Sequence, residues 1–352
     1  MKSLFQISAT LLLLFFAFTL PTSIVADEID WERAKALRQK LRSGETLQAE
    51  EEAYLQRAMD SHQARTNNRD NEATRGDGTD EESTVAPIRV SEAKSPVLTA
   101  KAVASDGNEI AFAYRVPEAD RPLPAVVFIH GSLGTRRIRE LSENARANPT
   151  QTRFLAAGYV TVAATFRTYG KEPLSRGPVL DLIAITQAVQ ELPEVDAESV
   201  VVFGTSGGGH IALELAGSEE VSFPAVVLGE PASILFTGLM TSISVREKAM
   251  KDFRILYTDK HRKETEAKID AISCPLLVHH GDQHPLRKIN FDLLFPAMEA
   301  AGKTLEIKLY PGEDHGFYWG NRTTEETVNA VVANTRKFIE PLLKTKPATS
   351  SN

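Results

Sequence analysis

After Pro96, short apolar runs alternate with longer stretches of helical periodicity, and this pattern constrains the fold more than any other feature of the chain. Short runs rich in Val and Ile, bounded by turn residues, predict buried strands. Their alternation with helices is typical of an α/β protein with a mostly parallel sheet flanked by helices. The predicted strands are residues 98–105, 109–116, 125–130, 159–166, 199–203, 225–228, 275–279 and 305–310. The predicted helices are residues 152–157, 179–192, 207–216, 291–301 and 324–343.

The region before Pro96 has a different composition, with no Val, Ile or Phe between Asp30 and Thr84. A stretch so poor in apolar side chains cannot build a core of its own. Helical spacing nevertheless predicts a charged helical hairpin over residues 27–65, which serves either as a docking element or as a solvated spacer. We predict the remaining organisation as a flexible linker over residues 66–95, the α/β domain over residues 96–345 and a disordered tail over residues 346–352.

The first 26 residues have the pattern of a secretory signal peptide. Lys2 supplies the positive charge, residues 11–20 form the apolar segment, and the small Ala26 is a candidate cleavage position. This pattern predicts a secreted or periplasmic protein with no stable membrane insertion after cleavage. The alternative is an uncleaved N-terminal anchor, although the apolar run is shorter than the roughly 20 residues that span a bilayer.

Charge and cysteine content exclude several kinds of protein. Lys and Arg total 40 against 47 Asp and Glu, a formal net charge of −7, so a nucleic acid is not an expected partner. The single cysteine, Cys274, cannot form an intrachain disulfide. The histidines are scattered, and His279 and His280 would point to opposite faces of a strand, so we expect no metal site. No nucleotide fingerprint is present, and we expect no cofactor; the sequence does not indicate an oligomeric state.

A glycine-rich turn, GTSGGG, joins the predicted strand 199–203 to the predicted helix 207–216. Ser206 has glycines two positions before and two positions after it, where a Cβ atom would collide with neighbouring backbone. Such a strained turn exposes the serine hydroxyl at the carboxyl edge of the sheet. The amide of Gly207 would lie at a helix N-terminus, which stabilises an oxyanion. The sequence therefore predicts Ser206 as a nucleophile.

Two further loops carry polar groups to the same edge. The strand 125–130 ends in HGSLG, where the amide of Ser132 can supply the second donor of an oxyanion hole and His130 orients the loop. The last predicted strand is followed by YPGEDHGF, which contains His315. An imidazole titrates near neutral pH, so His315 is the predicted general base.

The segments FIHGSLG, GTSGGG, HHGDQHPL and YPGEDHGF together resemble the α/β-hydrolase fold, in particular the prolyl oligopeptidase catalytic domain and the dienelactone hydrolase-like branch. The resemblance covers residues 96–343. It implies an eight-stranded, mostly parallel sheet, with Ser206 as nucleophile and His315 as base. It also implies hydrolysis of an ester, thioester or amide through an acyl-enzyme. The β-propeller that restricts access in oligopeptidases has no room in residues 27–95.

The triad acid departs from the pattern of these branches, in which a carboxylate usually lies three residues after the glycine of a His-Gly turn. Here that position holds His284, which supplies no fixed negative charge. Asp282, one residue after the glycine, is the favoured candidate. Glu230, after the strand 225–228, is the alternative.

The predicted function is an exported serine hydrolase, an esterase or a prolyl oligopeptidase-like peptidase, acting on small esters or short peptides. The alternative is a catalytically weakened or inactive α/β-hydrolase-like binding protein, because the usual acid position holds His284.

Overall fold

The computed structural model describes residues 33, 37, 40, 48–51, 53, 54, 57, 95–169, 175–240, 243–320 and 323–347. The predicted signal peptide at residues 1–26 lies outside the described residues, as does the predicted linker apart from Ser95. The chain divides into two compact units, one represented by the described residues between 33 and 57 and the other by those from 95 to 347.

In the first unit, every described residue except Gln48 is helical. Leu37 and Tyr54 are buried, and the guanidinium carbon of Arg33 lies 4.2 Å from the centre of the Tyr54 ring. Lys40 Nζ lies 2.9 Å from a carboxylate oxygen of Glu51. The predicted hairpin over residues 27–65 as a whole remains a prediction, because most of its residues lie outside the described part.

The second unit contains the predicted eight-stranded, mostly parallel sheet, which confirms the fold class. Its strand order is β1-β2-β4-β3-β5-β6-β7-β8. The β1–β2 and β2–β4 pairs are antiparallel and the other five are parallel. The strands are β1 Leu98–Val103, β2 Glu109–Arg115, β3 Leu123–Ile129, β4 Val160–Ala164, β5 Val195–Thr205, β6 Val226–Gly229, β7 Leu276–Gly281 and β8 Leu305–Tyr310.

Helices cover both faces of this sheet. Successive side chains of a strand point to opposite faces of the sheet: in β3, Val127 packs into the core on one face and Phe128 into the core on the other. Both faces are therefore apolar, and both are covered by helices. The helices are α1 Ile138–Ala147, α2 Pro149–Ala156, α3 Gly177–Gln190, α4 Gly207–Ala216, α5 Ser233–Phe236, α6 Ile243–Asp252, α7 Asp259–Ala271, α8 Leu286–Ile289, α9 Phe295–Ala300 and α10 Glu325–Ile339. Among the described residues, no helix is long and apolar enough to cross a membrane.

A cluster of charges fixes the hairpin between β1 and β2 to the rest of the sheet. Gly107 makes the tight turn with φ of 86°. Arg167, which follows β4, contacts Asp106 of this turn at 2.5 Å and the fully buried Asp181 of α3 at 2.6 Å. The side-chain amide of Asn108 donates to the same Asp181 carboxylate at 2.9 Å. One guanidinium therefore joins a surface turn, a strand end and a helix.

The sequence prediction lacks several helices of this unit, namely α1, α5, α6, α7 and α8. Helix α1 is not predicted by periodicity, because it buries only Leu141 and Ala145. At the C-terminus, the predicted tail over residues 346–352 is held at its start, since Arg121 donates to the carbonyl oxygens of Lys346 and Pro347. Residues 348–352 lie outside the described part, so the tail as a whole remains a prediction.

Candidate active site

Three non-glycine residues in the described part of the chain have a positive φ, and each follows one of three adjacent strands. Ser132 has φ of 75° after β3, Ser206 has φ of 50° after β5, and Glu230 has φ of 44° after β6. Such conformations cost about 1–3 kcal/mol each and persist only where the surroundings hold them. The carboxyl edge of β3, β5 and β6 is therefore the strained region of the domain, as expected of a functional site.

Ser206 lies on the predicted sharp turn between β5 and α4. Its amide donates to the carbonyl oxygen of Gly229 at 2.9 Å, and its own carbonyl accepts from the amide of Ala232 at 2.8 Å. The glycines around it are required by space, because a Cβ on Gly204 would lie 2.4 Å from the Gly208 carbonyl oxygen. Neighbouring backbone therefore holds the serine in its strained conformation.

The loop after β3 packs directly on this turn. A Cβ on Gly207 would lie 2.1 Å from the carbonyl oxygen of Ser132, and one on Gly131 would lie 3.2 Å from Ser206 Cβ. Within the described part of the chain, the amides of Ser132 and Gly207 donate no hydrogen bond to a protein acceptor. These two amides, on adjacent loops, are the ones that the sequence predicts as the donors of an oxyanion hole.

His130 precedes this loop and contacts both the loop and the segment after β4. Its Nδ1 lies 2.5 Å from the Gly131 carbonyl oxygen, its Nε2 lies 2.9 Å from Thr165 Oγ1, and its ring stacks on Phe166. Burial lowers the pKa of His130 to about 4, so the ring is neutral at neutral pH. These contacts connect the loop after β3 to the two residues that follow β4.

His315 follows β8 and pairs with the carboxylate of Glu230. Its Nδ1 lies 2.7 Å from Glu230 Oε2, and the side chain of Glu230 is fully buried. The pairing arises because β6, β7 and β8 are adjacent, which brings the ends of β6 and β8 to the same edge. Nδ1–H of His315 donates to the carboxylate, which leaves Nε2 free to accept a proton.

Two backbone amides complete the environment of the Glu230 carboxylate. Gly281 donates to Oε1 at 3.1 Å, and Gly316 donates to Oε2 at 3.3 Å. Burial opposes ionisation, but the hydrogen bond from His315 and the charges of nearby imidazoles outweigh it, so the pKa of Glu230 lies below its usual value. A buried carboxylate with three donors stays ionised beside the histidine.

The favoured candidate for the acid, Asp282, does not occupy this place. One of its carboxylate oxygens accepts from the Gly312 amide at 2.9 Å and from the Gln283 side chain at 2.6 Å. The loop after β7 thus directs Asp282 toward the β8 loop backbone, and the carboxylate that contacts His315 belongs to the alternative candidate, Glu230. Asp314 also lies aside, since it accepts the backbone amide of His315 at 2.7 Å.

Sequence reasoning did not identify a role for His284, which occupies the usual acid position. Its ring stacks on that of His315, with centroids 4.1 Å apart and planes inclined by 22°. The only indication of a special role for this residue in the sequence is that a histidine stands where the H-G-x-x-D pattern has an aspartate.

The described hydrogen bonds do not include one between the Ser206 hydroxyl and the His315 ring. In ligand-free enzymes such contacts are often long and tighten when substrate binds. The side chain of His315 is 29% exposed, so its ring is open to the surface. The arrangement brings a hydroxyl, an imidazole that is hydrogen-bonded to a carboxylate, and the amides of Ser132 and Gly207 to one edge of the sheet.

No metal centre is found in the part of the chain that the structure describes: it contains no group of three or more His, Cys, Asp or Glu side chains arranged to hold an ion. His279 and His280 lie on opposite faces of β7. His279 contacts Tyr310 and Thr335, whereas Nε2 of His280 contacts Asn290.

Comparison with known proteins agrees with this architecture. Residues 172–343 match the sequence profile of the family described as the dienelactone hydrolase family. The chain is also 30% identical, over 164 residues, to the quorum-quenching protein AidA of Acinetobacter baumannii (strain MDR-ZJ06). That match covers 42% of this chain and 50% of the relative, so the chain spans about half the length of this curated protein.

Solved structures share the fold at low sequence identity. The acylaminoacyl peptidase of Pyrococcus horikoshii has a TM-score of 0.55 at 17% identity, over 72% of this chain and 43% of that one. Thermogutta terrifontis esterase 2, solved phosphoramylated by tabun, has a TM-score of 0.52 at 20% identity, over 72% of this chain and 97% of that one. At these identities the likeness is one of fold.

Proposed function

We propose that this chain, which has an α/β-hydrolase fold and matches the dienelactone hydrolase family profile over residues 172–343, is a serine hydrolase of carboxylic esters or amides. The observation that carries the proposal is the 2.7 Å contact between Glu230 and His315, at the same sheet edge as the strained Ser206 turn. Nucleophile, acid and base then follow one another along the chain as Ser206, Glu230 and His315, which is the order of α/β-hydrolase triads.

In the proposed first step, the Ser206 hydroxyl attacks the carbonyl carbon of the substrate while His315 Nε2 accepts its proton. The carbonyl oxygen becomes an oxyanion, to which the amides of Ser132 and Gly207 donate. Glu230 keeps the His315 ring in the tautomer with its proton on Nδ1 and stabilises the imidazolium that forms.

In the proposed second step, His315 returns the proton to the leaving alcohol or amine, and Ser206 remains as an acyl ester. A water molecule then gives a proton to His315 and attacks this ester. Collapse of the second oxyanion releases the acid, and His315 gives its proton to the departing Ser206 oxygen, which restores the hydroxyl and the neutral imidazole. Each step uses the same three side chains and two amides.

The placement of Glu230 bears on the alternative of an inactive binding protein. That alternative rests on the lack of a carboxylate at the usual acid position, held by His284. A carboxylate supplied from the end of β6 performs the same physical task, since triads are defined by geometry rather than by sequence position. The catalytic proposal therefore needs no residue that the chain lacks.

The proposed substrates are small esters or short peptides, and the proposed setting is outside the cytoplasm. The substrate proposal is supported by the esterase and peptidase names of proteins that share the fold. Export is supported by the sequence pattern of residues 1–26 alone. N-terminal sequencing of protein recovered from a host cell tests export; an intact Met1 in the recovered protein would argue for an uncleaved segment.

A fluorophosphonate probe with peptide mapping tests the catalytic proposal, since such probes phosphonylate activated serines. We expect one adduct, on Ser206, with loss of p-nitrophenyl ester turnover in proportion to labelling. The Ser206→Ala variant should neither label nor turn over substrate. Ser142→Ala on α1 is a matched control, because the one hydrogen bond described for its hydroxyl is to the Ile138 carbonyl oxygen, and it should label as the unmodified chain does. Labelling that survives Ser206→Ala would rule out the proposed nucleophile.

A further inference from the structure

His284 is in close contact with the proposed base, yet the proposed mechanism assigns it no task. Its ring covers one face of His315 at a centroid separation of 4.1 Å. It is half-buried, and it immediately precedes Pro285 and helix α8. The close stacking of these two imidazole rings indicates that His284 affects His315.

The backbone fixes the protonation state of this ring. The amide of Leu286 donates to His284 Nδ1 at 3.2 Å, so Nδ1 is an acceptor and the proton lies on Nε2. Burial lowers the pKa of His284 to about 4. Two stacked imidazoles then carry no mutual charge repulsion at neutral pH. Leu286 is itself buried in an apolar cluster, which anchors the loop that carries His284.

Contacts from three directions hold the His315 ring. The Glu230 carboxylate contacts Nδ1 at 2.7 Å. His284 covers one face with planes inclined by 22°, and the Tyr318 ring lies near-perpendicular at a centroid distance of 6.2 Å. A single hydrogen bond to Glu230 leaves the ring free to rotate about that bond, whereas a flat neighbour against one face restricts this rotation.

We propose that His284 is a positioning residue, whose flat ring holds His315 in the orientation that presents Nε2 toward Ser206. This inference rests on the proposed hydrolase function. It assigns a different role to the loop after β7, which in similar hydrolases carries the acid. Here the carboxylate comes from β6, and the loop contributes an aromatic surface in its place.

Two substitutions separate the flat surface from the other properties of histidine. His284→Phe keeps a flat ring and removes both nitrogen atoms, whereas His284→Ala removes the ring. Aromatic pairs contribute about 0.5–1.5 kcal/mol, which corresponds to a rate factor of about two- to twelvefold. We expect His284→Ala to lower kcat for a p-nitrophenyl ester by about tenfold with KM within about twofold, and His284→Phe to stay within about threefold of the unmodified chain.

The matched control is His261→Ala. The Nδ1 atom of His261 also accepts a backbone amide at 3.2 Å, from Thr258, and its ring also stacks on an aromatic side chain, that of Tyr257. It lies at the start of α7 and has no part in the proposed triad. We expect His261→Ala to lower the melting temperature by a few degrees and to leave kcat unchanged.

Two outcomes would overturn the inference alone: unchanged kcat in His284→Ala, or an equal loss of kcat in His284→Ala and His284→Phe. The first of these outcomes includes a change confined to KM, because positioning of the base acts on kcat. Failure of the proposed function is distinguishable, since the unmodified chain would then show no ester turnover that depends on Ser206, and both proposals would fall together.

Discussion

Glu230 Oε2 lies 2.7 Å from His315 Nδ1, although 85 positions separate the two residues in the sequence. The contact depends on the order of strands, because β6 and β8 flank β7 at the sheet edge. It also depends on backbone strain, since Glu230 has φ of 44°, a conformation that residues other than glycine rarely adopt. Topology and local strain together bring the carboxylate to the imidazole.

Replacing Glu230 by Gln should lower kcat by about 10²–10⁴-fold, the range expected when a triad loses the charge that fixes its histidine tautomer. An amide nitrogen facing Nδ1 would favour the wrong tautomer. The steady-state rate on a p-nitrophenyl ester measures the effect.

Asp282→Asn is the matched control for this prediction, because in the described contacts Asp282 accepts hydrogen bonds only from the adjacent Gln283 and from the Gly312 amide. Its kcat should remain within about threefold of the unmodified chain. A large loss in Asp282→Asn with none in Glu230→Gln would return the acid role to Asp282.

The sheet and the Ser206 turn are predictable from sequence because their signals are local. Buried strands such as β3 are continuous apolar runs, and the turn needs glycines at fixed positions. The carboxylate beside His315 is not predictable in this way, because the choice between Asp282 and Glu230 depends on how two distant loops bend. No local signal predicts a positive φ at Glu230.

Replacing Gly208 by Ala should reduce activity and stability together. Its Cβ would lie 2.5 Å from the carbonyl oxygen of His130 and 2.6 Å from that of Ile129, and backbone atoms cannot move aside easily. We expect a loss of about 1–3 kcal/mol in unfolding free energy and a larger proportional loss of kcat. Gly134→Ala, where a Cβ meets nothing within 4 Å, should change neither. Urea unfolding and ester kinetics test both variants, and equal effects would contradict the packing argument.

Replacing His210 by Phe should make the protein less sensitive to acid. Burial lowers the pKa of His210 to about 3, and its Nδ1 has no hydrogen-bond partner in the described structure. A histidine with a lowered folded-state pKa binds its proton first in the unfolded chain, so stability falls as pH drops below about 6.5. Between about pH 7.5 and pH 5, protonation of this group alone lowers the free energy of unfolding by up to about 2 kcal/mol. Urea unfolding at the two pH values measures this loss in the unmodified chain and in His210→Phe. An equal loss in both proteins would contradict the predicted effect of His210.

Replacing Arg167 by Met should destabilise the domain by about 3–5 kcal/mol, because it removes a charged partner from the fully buried Asp181 carboxylate. Lys101→Met provides the comparison, since the Lys101–Glu109 pair lies on the same hairpin with both side chains more than half exposed. Its expected effect is below about 1 kcal/mol. Chemical denaturation measures the free energy of unfolding of both variants. Similar losses would show that burial of Asp181 does not determine how much its ion pair contributes to stability.

Non-additivity of substitutions tests most directly whether Ser206 and His315 act as one catalytic unit. The measurement is the residual kcat of Ser206→Ala, of His315→Ala and of the double variant on one ester, with folding verified by circular dichroism. Residues that act as a unit give a double variant no worse than the poorer single variant, so we predict three rates within about threefold of one another, each far below that of the unmodified chain. A double variant whose loss equals the product of the two single losses, or a single variant with undiminished turnover, would contradict the proposed site.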